Sequence, residues 1–569
     1  MKSVRCPWIV PIVLLISGSF QAFGQAHGEH DDHLHSLIDG DYPVCGTHLM
    51  WQLQVNEEKL DDKGRELLRQ YRVTDQPTMQ RNIVSYDGHF RIHYDIDGKH
   101  APSPVDQDSN GIPDYIDSVD FYMELAWKKE IEECGFAPPP PDNIRPGVGG
   151  IDGLVDVFVQ ALSNSIYGFA LPEPGGEIGS RSVGYLILDN DYVGYPTPGI
   201  AGLRVTSAHE FHHIVQFGAY INDYSQGAIF EATSTWMEFK VHPDLTDYRL
   251  YFNRFLKQPH AFSFATNDVS DGITGYAHMH YLQSLVQQLD PKIVREIWDQ
   301  FKSSGKAFDA IDATLRARNA GINLTNSFCT FARWSYFTGS NAVDTMFFAK
   351  ADLYPTIRSV STLILDEDLE KVIPNSLSPL SFGLWRLVVP RSDQFDPDTV
   401  DFLITNARSM LGTGGPSVSR PEDFTLFVSQ SPRGGYTPIL YRNDTLYYRL
   451  DAPHQDFCVE TFFNGSRGIL VTVNPLPQPF VNDGADQMVF AVDLSGIAIT
   501  RVELDIYSAS MTKVARVERN GLETRENVQG VIWDGRTSSG EFAPSGVYIY
   551  TLAINGSAPS VGKFAVVRK

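Results

Sequence analysis

Ser207-Ala208-His209-Glu210-Phe211-His212-His213-Ile214-Val215-Gln216 is the stretch on which the reading of this chain turns. On a helix, residues four apart share a face about 6 Å apart, so His209 and His213 can turn ring nitrogens toward one ion. Zinc accepts neutral imidazole, and a hydrolytic zinc site keeps one position open for water. Glu210 sits beside that face, where its carboxylate can take a proton from an attacking water and pass it to a leaving amine. A plainer account exists: Ser207 and Glu210 spell a helix-start capping box, S-x-x-E, with ordinary histidines behind it. Ile214 and Val215 favour the first account, because they carry the helix into a core where two histidines and a glutamate without partners are costly. His212 lies on a different face from the pair and is not read as a ligand.

A third ligand is sought downstream, in Phe230-Glu231-Ala232-Thr233-Ser234-Thr235-Trp236-Met237-Glu238. The spacing from His213 leaves room for a loop and a second helix running back past the first. Glu231, in an otherwise apolar and small-residue helix, needs a cation or donors and is the candidate ligand. Glu238, two turns further along the same face, is the reserve candidate or equally a solvated helix residue.

A second metal pattern precedes these. Asp106-Gln107-Asp108-Ser109-Asn110-Gly111-Ile112-Pro113-Asp114-Tyr115-Ile116-Asp117 follows the order of a calcium loop. Asp106, Asp108, Asn110, Asp114 and Asp117 place oxygen side chains at positions 1, 3, 5, 9 and 12, and Gly111 supplies the sharp turn at position 6. Ile112 at position 7 offers its backbone carbonyl, and Asp117 stands where a bidentate Glu is usual. The alternative is an acidic turn. As a calcium site its role is structural, tying the loop to a following helix.

With 569 residues the chain is too long for one core, and roughly three or four domains are expected. The net charge of −23, from 69 acidic against 46 basic side chains, opposes nucleic-acid binding, which needs a basic face. Residues 1–24 read as a signal peptide: Lys2 and Arg5 at the start, an apolar run over 8–20, and the small-x-small site Ala22-Phe23-Gly24. The run is too short to span a bilayer comfortably, and no later stretch is long and apolar enough, so the mature chain is expected not to span a membrane. Export permits disulfides among Cys45, Cys134, Cys329 and Cys458, whose three pairings the sequence leaves open. A histidine-dense run over 27–35 can hold a metal loosely or be simply a new N-terminus.

Residues 25–84 form an N-terminal segment or propeptide, with a helical look over 50–75. Strands are expected at Phe90-Arg91-Ile92-His93-Tyr94, at Val155-Asp156-Val157-Phe158-Val159 and over 183–188. Prolines at 138–141 make a stiff connector, and residues 200–340 are mainly helical, so the first half is α+β. From about residue 355 short apolar or alternating runs such as Leu384-Trp385-Arg386-Leu387-Val388-Val389 take over, separated by turn residues. These read as a β-sandwich over 355–474. Pro475, Pro477 and Pro479 mark a linker, and 478–569 make a second small sandwich.

The motifs together resemble the gluzincin metallopeptidases, and look closest to secreted bacterial metalloproteases of the myxobacterial type. The likeness is carried by residues 106–117, Tyr167-Gly168, residues 209–216 and residues 230–238. It covers roughly residues 85–340 and implies a zincin-like catalytic domain over 85–350. It also implies Zn2+ held by His209, His213 and Glu231, Glu210 as catalytic base, and protein or peptide substrates. Such enzymes also need a donor for the developing oxyanion. Tyr276 and His280, four apart on what reads as one helix face, are the candidates, with aromatic packing the competing role. Trp533-Asp534-Gly535-Arg536 and Ser545-Gly546-Val547-Tyr548 resemble the FlgD-like immunoglobulin fold and the sorting domains of type IX secretion cargo. That likeness implies secretion machinery as a partner and a place outside the cell or on its outer surface. The whole reads as a multidomain chain: an α+β zincin-like domain followed by two β-sandwiches, acting as a secreted zinc peptidase. A non-catalytic surface adhesin with a structural or degenerate metal site is the alternative, and a zinc hydrolase for a non-peptide substrate a third.

Overall fold

The computed structural model describes residues 45–568. Within that span it leaves out a few short gaps and, at five residues or more, 72–77, 143–151, 174–178, 390–397, 412–419, 431–436, 465–472, 493–498 and 555–559. The signal-peptide and histidine-run readings lie outside the described residues. The architecture is mixed α+β and divides into a helix-rich first half and a second half built from β-sheets. No helix among the described residues is long and apolar enough to cross a membrane.

The first sheet has five strands: β1 (Arg81–Val84), β2 (Phe90–Tyr94), β3 (Val155–Val159), β4 (Gly168–Pro172) and β5 (Gly184–Leu188). Their order is β1-β2-β3-β5-β4, with β2, β3 and β5 parallel and the outer strands antiparallel to their neighbours. Strands β3, β4 and β5 are buried throughout, as a sheet covered on both faces requires. Their alternation separates two cores. Val157, Val159, Ala170, Leu186 and Leu188 face the main helical cluster. Phe158, Phe169, Leu171, Tyr185 and Ile187 face a smaller cluster built with Leu49, Met50, Leu53 and Leu68 of two leading helices, α1 (Thr47–Val55) and α2 (Asp62–Tyr71), and with Leu60 between them.

On the main face lie α3 (Asp114–Trp127), α4 (Ile200–Val215) and α5 (Gly227–Val241). Helix α4 carries the HExxH stretch and begins seven residues before Ser207, so Ser207 is mid-helix and the capping-box account falls away. A π-helical turn (Gln216–Tyr220) ends it, and a 3-10 turn (Tyr224–Gln226) leads into α5. Further helices, α6 (Tyr248–Phe255), α7 (Met279–Gln288), α8 (Ile293–Ser304), α9 (Ala307–Arg318) and α10 (Leu324–Tyr336), complete the layer.

Among the described residues the second half holds four further sheets. Two four-stranded sheets over 359–464 share one apolar cluster that includes Trp385, Phe402, Phe424 and Leu426. The last two share another, around Phe490, Trp533, Tyr550 and Phe564. The proline stretch read as a linker is in part a strand: Val473–Leu476 pairs with Met488–Val492, Pro475 opposite Phe490. That strand is at the end of its sheet, where a residue without an N–H is tolerated. Of the three open cysteine pairings the structure joins Cys329 of α10 to Cys458 of the strand Phe457–Asn464, across 129 residues. Arg333 forms a two-pronged pair with Glu460 at 2.6 and 2.7 Å alongside it. Cys45 and Cys134 carry no disulfide.

Candidate metal centre

Helices α4 and α5 cross so that His209, His213 and Glu231 meet, all fully or almost fully buried. His209 Nε2 lies 3.2 Å from Glu231 Oε2, and His213 Nε2 3.7 Å from Glu231 Oε1. The other ring nitrogens are engaged by acceptors. His209 donates from Nδ1 to Glu238 Oε1 at 2.6 Å, and His213 from Nδ1 to Gln216 Oε1 at 2.7 Å. Gln216 is itself held, its amide donating to Phe230 O and to the hydroxyl of Thr233. With a cation bound, a proton on each Nδ1 would leave each Nε2 lone pair directed at the cluster, which is how partners behind a ligand set its tautomer; without one, burial pulls His209 down but Cys45, Glu231 and Glu238 hold it well above its ordinary value. Burial drives His213 down to about 3, so its ring stays neutral. Glu231 stays below the usual carboxyl range: burial pushes it up, but His213 and His209 more than offset that.

A fourth donor comes from far away in sequence. Cys45 Sγ lies 3.4 Å from His213 Nε2 and 3.5 Å from Glu210 Oε2. One atom each of Cys45, His209, His213 and Glu231 lie within 4.8 Å of one another. Zinc bonds of about 2.0–2.3 Å to such donors put tetrahedral neighbours roughly 3.3–3.7 Å apart. Three of the six separations, at 3.2, 3.4 and 3.7 Å, lie at or close to that range, and the soft thiol and two imidazoles suit zinc better than a hard cation. Buried Glu210, Glu231 and Glu238 around one point also call for a positive charge among them.

Glu210 points to the same place from the next position on α4. Burial pushes its carboxyl up to about 7, against the pull of His209 and of the Thr47 hydroxyl, which donates to Oε2 at 2.9 Å. The Tyr276 ring stacks on His209, and a small cavity lined by Tyr167, Asp247, Tyr251 and Tyr276 adjoins His209 and Glu210. Burial and then Glu231 hold the Tyr276 phenol well above its ordinary value, so it keeps its proton as a donor.

His280 is a correction. It is buried away from the cluster, stacked 3.7 Å from Phe252, with Nε2 3.0 Å from the Tyr354 hydroxyl. The reason is local: Tyr276–His278 is a 3-10 turn and the α-helix begins only at Met279, so Tyr276 and His280 do not share a helix face. Glu238 is neither a ligand nor a solvated residue but the carboxylate behind His209. His212 turns away, as expected, and pairs through Nδ1 with the fully buried Glu130 at 2.7 Å.

The acidic loop folds as a separate cluster. Carboxylates of Asp106, Asp108 and Asp114 come within 4.8 Å of one another. Asn110 donates its side-chain amide to Asp108 and to Asp117, and Gly111 takes φ +86 at the turn. The Ile112 N–H donates to Asn110 Oδ1 at 2.7 Å. The spacing was legible here; Cys45, Thr47, Gln216 and the role of Glu238 were not.

Residues 197–335 match a family of unknown function, DUF6055. The match runs from just before α4 almost to the end of α10 and includes His209, Glu210, His213, Glu231 and Tyr276. No curated protein matches the chain.

Proposed function

We propose that this chain is a secreted zinc peptidase, with a zincin-like domain at 85–350 followed by β-sandwiches at 355–474 and 478–569. The observation that carries it is the convergence of His209, His213 and Glu231 beside a buried Glu210, each histidine backed by its own acceptor. When bound, zinc supplies Lewis acidity, which polarises a scissile carbonyl and makes water nucleophilic near neutrality. Glu210, its carboxyl near neutral, takes the proton from the attacking water and hands it to the leaving amine. Tyr276 donates its phenolic hydrogen to the developing oxyanion. The acidic loop at 106–117 takes Ca2+ as a brace at the start of α3. The last β-unit serves export or attachment through secretion machinery.

The test pairs metal content with hydrolysis. The chain and its Glu210→Gln variant are purified, each also in a Cys45→Ser background so that the fourth position is open. Zinc is measured and unfolded casein supplied. One zinc per chain is expected in all four, with cleavage in the Cys45→Ser form that keeps Glu210 and a loss of about 10²–10⁴-fold from that form without it. Zinc bound with no cleavage in any form would move the reading to a binding protein, and no zinc in any form would remove the site.

A further inference from the structure

We infer that residues 45–71 are an intrinsic inhibitor: Cys45 closes the fourth metal position and Thr47 engages the base, so the enzyme is latent until this segment leaves. The inference rests on the zinc peptidase reading. A hydrolytic zinc site has three protein donors and an open position, whereas four protein donors make a closed, structural one. With Cys45 Sγ among the donors the set is four, and the thiol stands on the same side as Glu210, where the nucleophile has to be.

Three consecutive residues act together. Thr47 donates to Glu210 Oε2 and accepts the Ala170 N–H at 2.8 Å, while the Gly46 N–H donates to Gly168 O at 2.8 Å. Both contacts fall on β4, the last strand in the order of the first sheet: the Gly46 bond is main chain to main chain and the Ala170 bond ends on the Thr47 hydroxyl, so the segment occupies an edge to which another chain can add. Cys45-Gly46-Thr47 therefore takes the place a substrate backbone needs beside the metal centre. The approach is tight. A Cβ on Gly46 would meet Ile166 Cγ2 at 2.8 Å, and one on Gly168 would meet Thr206 Cγ2 at 2.6 Å.

The rest of the segment is a handle. Helices α1 and α2 pack Leu49, Met50, Leu53 and Leu68 on the sheet face away from α4. Trp51 Nε1 and Gln54 Nε2 donate to Asn222 and to the Pro172 carbonyl. These contacts hold the segment without using any catalytic group. It also ends before β1, so cutting the chain between 71 and 79 spares every strand of the sheet.

The experiment uses the full chain loaded with cobalt in place of zinc, and the zinc form for rates. The parent should show thiolate-to-cobalt charge-transfer absorption in the near ultraviolet. Cys45→Ser should lack it and still bind one metal. Gly46→Val, which removes no donor, should weaken the band by displacing the segment. If the segment leaves the site open about 1% of the time, either variant raises casein hydrolysis up to about 100-fold. A protease site placed between 71 and 79 should give the same rise, and loss of the band, on cutting. The inference is overturned if cobalt binds in the parent without the band, or if the uncut parent already matches the variants in rate. Metal binding by none of the forms would instead remove the zinc reading beneath it.

Discussion

The two metal-type clusters of this chain use similar side chains in opposite surroundings. Around His209, His213 and Glu231 every donor is buried, and the histidines are oriented by buried partners. In the 106–117 loop the acids are partly or fully exposed and spend hydrogen bonds on their own loop: the Asn110 and Gly111 N–H groups donate to Asp106. Burying a carboxylate is costly unless it is paired, so the first cluster is held in tension that a cation relieves. The loop can stand in water without one. If both hold a cation, its removal should damage the first site's surroundings and only loosen the second.

The largest effect expected is from Glu231→Ala. It removes a donor and leaves His209 and His213 facing a gap, so zinc should fall well below one per chain. Thermal unfolding should show a loss on the order of 3–5 kcal/mol, the scale for breaking a buried pair. A variant that keeps one zinc and full stability would show that burial does not make the first cluster depend on its cation. Next is calcium: at about 100 times its Kd, calcium should stabilise the chain by about 2.7 kcal/mol. Asp108→Ala should abolish that shift and leave zinc content unchanged. A calcium effect on zinc content would show that the two clusters are coupled.

Legibility followed distance along the chain. His209, Glu210 and His213 sit within five residues on one helix, so their meeting is a consequence of helical period alone. Glu231 was legible because a carboxylate in a small-residue, apolar helix needs a partner. The acidic loop was legible because its geometry is local. Glu238 was misplaced by the same helical logic that found Glu231: two turns along its face brings it not to the ion position but to the far nitrogen of His209. His280 was misread because periodicity was carried through a 3-10 turn. Cys45 reaches Glu210 across 165 residues, and no local pattern encodes such a contact. The α+β first half and the β-rich second half followed from alternation and turn residues, but the strand at Pro475 did not, since proline reads as a break.

A sharper probe of the buried cluster is Glu238→Gln. The amide can still accept from His209 Nδ1 but carries no charge, so the imidazole becomes a weaker donor. Zinc affinity, measured by competition with a chelator, should drop about 10–100-fold, the usual scale for an outer partner, with the fold intact. The matching change in the loop, Asn110→Asp, adds charge where water already screens it and should leave zinc affinity where it is. Equal effects on zinc from both would erase the distinction between the sites.

A separate effect concerns buried histidines that serve neither cluster. His278 is stacked on Phe264 and His280 on Phe252, and burial holds both at about 3. Their folded values lie below the ordinary histidine value of about 6.5, so between those limits the unfolded chain binds protons that the folded chain refuses. Stability is therefore fully present above about pH 6.5 and declines as pH falls, by up to about 1.4 kcal/mol per unit for each ring. Denaturant midpoints measured from pH 7.5 to 5 should follow that sign, and His280→Gln should flatten part of the slope while leaving zinc binding alone. If the slope instead vanishes on adding excess zinc, the acid sensitivity belongs to His213, which burial holds at about 3 and whose neutral form a cation would protect. Burial with a cation and burial without one would then be separated by a single titration.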